Sequence, residues 1–115
     1  MATSYAPLLQ PGQIGSLQLK NRIALAPMGE NFGGLDGHAT EKTQAYYEER
    51  ARGGAGLIIL GTTAVSWPSG TSEPHQLGIS SDDFIPTLAQ VVRALSGAVA
   101  ALADGGAAAP EPAPQ

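Results

Sequence analysis

The chain has 115 residues and no cysteine, and its 6 Lys plus Arg against 10 Asp plus Glu give a formal net charge of −4. The length suits one ordinary domain, and 43% hydrophobic with 14% charged residues is the balance of a globular protein. The acidic charge argues against nucleic-acid and anionic-membrane partners, and the lack of cysteine excludes disulfides, thiolate metal sites and catalytic thiols.

The N-terminal segment predicts no export signal. MATSYAPLLQPGQ has neither the positive start nor the apolar core of a signal peptide. The longest apolar run of the chain is far shorter than a membrane-spanning helix. We therefore expect a soluble, cytoplasmic protein.

Two extended segments come next along the chain. Residues 13–20 alternate polar and apolar side chains around Gly15-Ser16, which predicts a β-hairpin. Residues 23–28 form a continuous apolar run that ends at Pro27 and Met28. Because this run does not alternate, we expect a strand that is covered on both faces, as in parallel sheets.

A polar segment, TEKTQAYYEERAR, predicts the first long helix. Thr40 is the expected N-cap, and Glu41 in the first turn suits the positive end of the helix dipole. Arg50 and Arg52 lie in the last turn, where basic side chains suit its negative end.

The glycines of ARGGAGLIILG resemble a nucleotide-binding loop at first sight. A dinucleotide fingerprint, however, follows a strand and opens a helix, whereas here the glycines follow a helix and precede an apolar run. Gly53-Gly54 predicts the end of the helix, where a left-handed residue closes it. Gly53, Gly54 and Gly56 therefore indicate a structural joint between helix and strand.

The second half of the chain repeats the strand and helix order. Residues 57–65, LIILGTTAV, predict a second continuous strand, and a long polar loop then leads to a second helix over residues 81–95, with Ser81 as a candidate cap. Apolar residues keep helical spacing and extend this helix to about Ala103: Leu88, Val92, Leu95, Val99 and Leu102. Strand, helix, strand, helix predicts an α/β fold with a parallel sheet, but no third strand follows.

Composition divides the chain near residue 97. Residues 1–97 carry the predicted elements and form the expected domain. Residues 98–115 are rich in Ala, Gly and Pro, and we interpret them as a helix extension followed by a disordered, low-complexity tail.

Four blocks in register carry a resemblance to a known family. IGSLQLKNRIALAPM, DGHAT, YYEERARGGAGLIILGTTAV and GISSDDFIP occur in the order and spacing of the N-terminus of the Old Yellow Enzyme family, which comprises NADH:flavin oxidoreductases and 2,4-dienoyl-CoA reductases. The resemblance covers roughly residues 8–95. It implies a partial TIM (β/α)8 barrel, made of the N-terminal hairpin and the first two βα units.

The same resemblance implies an FMN-dependent reaction. NAD(P)H passes hydride to the flavin, and the flavin passes it to a small unsaturated carbonyl substrate, such as an enone or a dienoyl thioester. FMN binds at the carboxyl ends of the barrel strands, the face that holds the active site in this fold. The helix-to-strand joint at Gly53-Gly54 then lies at the opposite, stabilising face.

The first-strand exit of the family places its backbone against the flavin, and here the corresponding residues are Ala26, Pro27 and Met28. Pro27 fixes φ and ends sheet pairing, which frees backbone amides; locally it could equally be a simple strand terminator. The next family position is often Thr or Cys, whose side chain bonds the flavin, but this chain has Gly29, so that only a backbone N–H is available there.

The second-strand exit of the family often reads E-A-T-A-V, with the first alanine near the flavin. Thr62 takes that alanine's position here, and Gly61 removes the carboxylate. Thr62 could bond the isoalloxazine or could simply be a strand residue of good β-propensity. The resemblance thus implies five cofactor-binding residues: Ala26, Pro27, Met28, Gly29 and Thr62.

The family's catalytic and substrate-binding residues, its third-strand glutamine and its phosphate site have no counterpart in this chain. We interpret His38 as connecting structure and His75 as a solvent-facing loop residue. Tyr46 and Tyr47 are packing groups on the first helix, and Asp82 and Asp83 are helix-start residues. Trp67 lies in the loop above the second strand, where it could reach a ligand. No catalytic residue and no metal site is predicted, so the alternative to a flavin enzyme is a truncated, inactive fragment.

Overall fold

The computed structural model describes residues 4–103, and most of the predicted tail lies outside this range. Its helices are α1 (Ala6–Leu9), α2 (Glu41–Arg52) and α3 (Ile85–Ala103). A 3-10 turn, Asp82–Phe84, precedes α3. Six short strands complete the described part: β1 (Gly12–Ile14), β2 (Leu17–Leu19), β3 (Ala24–Leu25), β4 (Leu57–Ile58), β5 (Thr63–Ala64) and β6 (Leu77–Gly78).

The predicted hairpin is confirmed. β1 and β2 pair in antiparallel fashion, with Ile14 opposite Leu17. Gly15 adopts φ +56° in the connecting turn, a conformation that favours glycine. The amide of Arg22 donates to the Leu8 carbonyl at 2.8 Å and so ties α1 to the chain that follows the hairpin.

α2 begins and ends where the sequence predicts. Thr40 and Thr43 form a capping box, in which each side chain accepts a hydrogen bond from the other residue's backbone N–H. Both hydroxyls also donate to the Phe32 carbonyl, which fixes the loop before the helix. At the other end Gly54 adopts φ +103°, so the predicted left-handed residue is Gly54.

The two predicted strands are shorter than expected. β3 and β4, which α2 connects along the chain, pair directly in parallel. β3 covers only two residues of the predicted segment 23–28. The predicted strand 57–65 is interrupted over residues 59–62 and gives two separate strands, β4 and β5. The expectation that segment 23–28 is covered on both faces is also wrong, because Ile23 remains exposed within this chain.

The loop predicted after the second strand contains a strand of its own. β6 pairs in parallel with β5, with Thr63 opposite Leu77 and Ala64 opposite Gly78. Two residues are too few to produce a periodic pattern, so sequence reading placed them in a loop. Burial of the Leu77 side chain holds β6 against the core.

α3 follows the predicted helix and reaches Ala103, as the apolar spacing indicates. Its start lies at Ile85, so that Pro86 falls in the first turn, where proline is tolerated. Ser81 precedes the 3-10 turn, but its side chain makes no capping hydrogen bond. The buried face of α3 differs from the one that the apolar spacing predicts. Val91 and Ala98 are buried, whereas Val92, which belongs to the predicted set, is 56% exposed.

The core lies where α2 packs against α3 and against β4, and it includes buried residues of β5 and β6. Its buried apolar members are Tyr47, Ala51, Ala64, Leu77, Phe84, Val91 and Ala98. Within the described residues, no helix has the length and apolar character needed to cross a membrane.

Candidate cofactor site at two strand exits

The chain leaves β3 as an exposed segment with free amides. Ala26, Pro27, Met28 and Gly29 are all exposed. Among the described residues, the backbone N–H groups of Met28 and Gly29 donate no hydrogen bond. This segment therefore offers unpaired donors at the end of a strand, as the proline predicts.

Gly29 faces Thr62, the predicted residue from the second-strand exit. A Cβ atom at position 29 would stand 3.3 Å from Thr62 Oγ1 and 3.2 Å from Glu73 Oε2. The fold therefore brings together two of the sequence-predicted residues, and it adds a carboxylate that sequence reading missed. Glu73 lies in the polar loop SWPSGTSEPHQLGIS, where nothing in the local pattern marks it.

Gly61 approaches the first-strand exit more closely still. A Cβ atom at position 61 would stand 1.9 Å from the Met28 carbonyl oxygen and 2.9 Å from Glu30 Oε2. Only glycine allows this approach. The carboxylate of Glu30 therefore lies where a side chain at position 61 would begin.

A buried tyrosine, Tyr47, bonds to both Glu30 and Gly61. Tyr47, only 1% exposed, donates its hydroxyl proton to Glu30 Oε2 at 2.9 Å and accepts the Gly61 N–H at 2.7 Å. Burial raises the pKa of Tyr47 to about 12, and the neighbouring Glu30 carboxylate acts in the same direction. Tyr47 is thus a packing group, as predicted, and also the link between the two strand exits.

The two histidines make specific contacts. His38 stacks on Phe84 with ring centroids 4.7 Å apart, and its Nε2 lies 3.1 Å from the Asp83 carbonyl, which confirms a structural role. The expectation of a solvent-facing His75 is wrong. The residue is half-buried, its Nδ1 donates to the Gly33 carbonyl at 2.9 Å, and its backbone N–H donates to Asn31 Oδ1 at 2.8 Å.

Trp67 and the two aspartates also have packing or local roles. The Trp67 ring lies against Gly37, where a Cβ atom would stand 2.9 Å from it, and edge-on to Phe84 at 6.3 Å. Trp67 is therefore occupied by core contacts. Asp82 and Asp83 lie in the 3-10 turn that precedes α3, as predicted.

An open groove of about 630 Å³ lies elsewhere, at the start of α2. It is lined by residues 31–33, residues 40–42 and His75. None of the five predicted cofactor residues lines it, so it is separate from the strand exits.

Comparison with known proteins assigns the family. The sequence model of the NADH:flavin oxidoreductase / NADH oxidase family matches residues 7–110. The chain belongs to this family. Its resemblance to the Old Yellow Enzyme family is thereby confirmed.

Individual members of the family match most of the chain. The NADH oxidase of Thermoanaerobacter brockii is 36% identical over 93 residues, which is 81% of this chain and 14% of that protein. The cinnamate reductase of Clostridium sporogenes is 46% identical over 68 residues, 56% of this chain and 10% of that protein. The structure of the old yellow enzyme from Trypanosoma cruzi superposes with a TM-score of 0.72 at 35% identity, covering 81% of this chain and 24% of that one. The 115-residue chain therefore spans a quarter or less of the length of each of these relatives.

Proposed function

We propose that this chain supplies the first-strand and second-strand part of an FMN site in an NAD(P)H-dependent oxidoreductase that reduces activated alkenes. The observation that carries the proposal is the approach of Gly29 to Thr62, because it joins the two strand exits that the family resemblance assigns to the flavin. Family membership supports the flavin and nicotinamide chemistry. The name of the cinnamate reductase relative supports an unsaturated carbonyl compound as substrate.

The residues at the strand exits fit a flavin. Free amides at Met28 and Gly29 are donors that could meet the ring carbonyls and nitrogens. Exposed Ala26 and Pro27 offer an apolar surface next to them, and the Thr62 hydroxyl is a further donor. When bound, FMN supplies the hydride chemistry, while this chain binds and orients the ring.

The proposed architecture is the beginning of a TIM barrel. β3, α2 and β4 form a strand–helix–strand unit with parallel pairing, as the barrel requires. We assign residues 1–97 to this barrel portion and residues 98–115 to an extension of α3 with a tail, in a cytoplasmic protein. The cytoplasmic location and the boundary near residue 97 rest on the composition of the sequence.

The second candidate is an inactive fragment. The chain covers 14% of the NADH oxidase relative, and the family's substrate-binding residues have no counterpart in its sequence. In this case the fold is inherited from the family, but binding and turnover by the chain alone are lost.

Titration of FMN into the chain, followed by flavin fluorescence, separates the two candidates. Micromolar or tighter binding that is weakened by Thr62→Val supports the cofactor site. Ser96→Ala is the matched control, because Ser96 is exposed on α3 and bonds only within its own helix. Absence of binding, together with no NADH consumption in the presence of cinnamate, contradicts a flavin site in the chain by itself and favours the fragment.

A further inference from the structure

Helix α3 has a wider apolar face than the described part of the chain covers. Val91 and Ala98 form its buried side. Ile85, Val92 and Val99 lie seven residues apart and remain 57%, 56% and 37% exposed. Since seven residues make almost two helical turns, these three side chains form one stripe along the helix. Within the described residues, α3 therefore keeps an apolar stripe open to solvent.

The spacing along this stripe is that of a two-stranded coiled coil. The three exposed residues take the a positions of a heptad repeat, and two half-buried leucines take the d positions. We call this set of a and d residues the α3 seam: Ile85, Leu88, Val92, Leu95 and Val99. The sequence continues the repeat at Leu102. β-Branched side chains at a together with Leu at d favour a parallel pair of helices, so the residue types indicate which partner the seam fits.

The positions beside the seam also suit close contact with another helix. Ala89 and Ser96 occupy e positions, where their small side chains leave room for a neighbouring helix. The Ser96 hydroxyl donates to the Val92 carbonyl at 3.0 Å, so it needs no partner from outside its own helix. The only charged residue of α3 is Arg93, which lies at a b position outside the seam. No charge of α3 therefore has to be desolvated when two helices meet, as is usual in the core of a protein interface.

We propose that the α3 seam binds the same seam of a second copy of this chain, in a parallel two-stranded coiled coil. In this arrangement each a residue faces its own counterpart, so that Val92 of one copy lies against Val92 of the other. From Ile85 to Val99 the seam is about 21 Å long, at about 1.5 Å per residue. A contact of this length between two helices stays below about 1,200 Å² in total, so we expect a reversible dimer at roughly tens of micromolar chain. The dimer uses no residue of the proposed cofactor site.

Disulfide cross-linking at position 92 is the first test, and the chain has no cysteine of its own. Val92→Cys in a glutathione redox buffer should form a disulfide-linked dimer, because a parallel pair of helices holds the two thiols together. Gln90→Cys is the matched control, because Gln90 is also exposed on α3 but lies at an f position, away from the seam. We expect about tenfold more dimer for Val92→Cys, since its paired thiols meet at a high effective concentration. Equal cross-linking of the two variants, or none in either, overturns the proposal.

Sedimentation equilibrium is the second test. All samples carry Val65→Lys, because the exposed Val65 side chain favours association elsewhere on the chain. Val92→Glu places two carboxylates against each other in the proposed dimer, and we expect it to raise the dimer dissociation constant about tenfold. Gln90→Glu adds the same charge at the f position and should change this constant by less than about twofold. A sample that is monomeric without either substitution, or equal weakening by both, contradicts the dimer. Circular dichroism checks the fold of both variants, and if Val92→Glu unfolds, the cross-linking comparison decides.

Discussion

Gly61 lies against Met28 so closely that a Cβ atom at position 61 would stand 1.9 Å from the Met28 carbonyl oxygen. The two residues follow strands that pair in parallel, β3 and β4. Gly61 lies in the gap between β4 and β5 that divides the predicted strand 57–65. The packing of this chain therefore requires glycine at position 61.

Gly61→Ala should strongly destabilise the chain. The added methyl group would overlap the Met28 backbone, and backbone cannot move aside as a side chain does, so we expect a loss of about 3 kcal/mol in the free energy of unfolding. Gly97→Ala is the control, because nothing lies within 4 Å of a Cβ there. In the exposed interior of α3 it should stabilise by about 0.5–1 kcal/mol. Urea denaturation measures both, and equal stability of the two variants would contradict the close approach.

Tyr47→Phe tests the link between the strand exits. Removal of the hydroxyl leaves the Gly61 N–H and a Glu30 oxygen without their partner, which should cost about 2 kcal/mol. Tyr46→Phe is the control. It keeps the aromatic ring under Arg50 and removes a hydroxyl that bonds nothing among the described residues, so its cost should be small. A similar loss in both variants by urea denaturation would show that the Tyr47 hydroxyl contributes nothing specific.

Stability should fall at alkaline pH because of the same tyrosine. The pKa of Tyr47 is raised from 10.0 to about 12, since burial and the Glu30 carboxylate disfavour the phenolate. The folded chain therefore holds a proton that the unfolded chain has lost, so this stabilising contribution is complete below pH 10 and disappears between pH 10 and about 12. At about 1.4 kcal/mol per unit, it is on the order of 2–3 kcal/mol. The difference in unfolding free energy between the unaltered chain and Tyr47→Phe should shrink over this range; a constant difference would disprove the shift.

The chain should self-associate in solution. Ile23 and Ile59 remain exposed beside the short β3–β4 pair, and Val65 is 83% exposed after β5. Apolar side chains next to unpaired strand edges favour aggregation. Sedimentation velocity should show species that grow with concentration, and Val65→Lys should reduce them. A monomer at all concentrations with a sharp, cooperative melt would contradict this prediction.

The features that sequence alone predicted are those set by neighbouring residues. Thr40 caps α2, the pair Gly53-Gly54 ends it, and Gly15 turns the hairpin, because capping and turn chemistry act over a few residues. The family was also predicted correctly, since its four blocks are contiguous stretches.

Only the tertiary structure decided which distant residues meet. It placed Glu73 beside Gly29, put the Glu30 carboxylate where a side chain at Gly61 would be, and made a strand from Leu77. These contacts depend on how the chain returns on itself, and no local spacing or propensity encodes that path. Neighbouring residue types therefore determined the caps and turns, whereas packing between the strand exits determined which polar groups meet there.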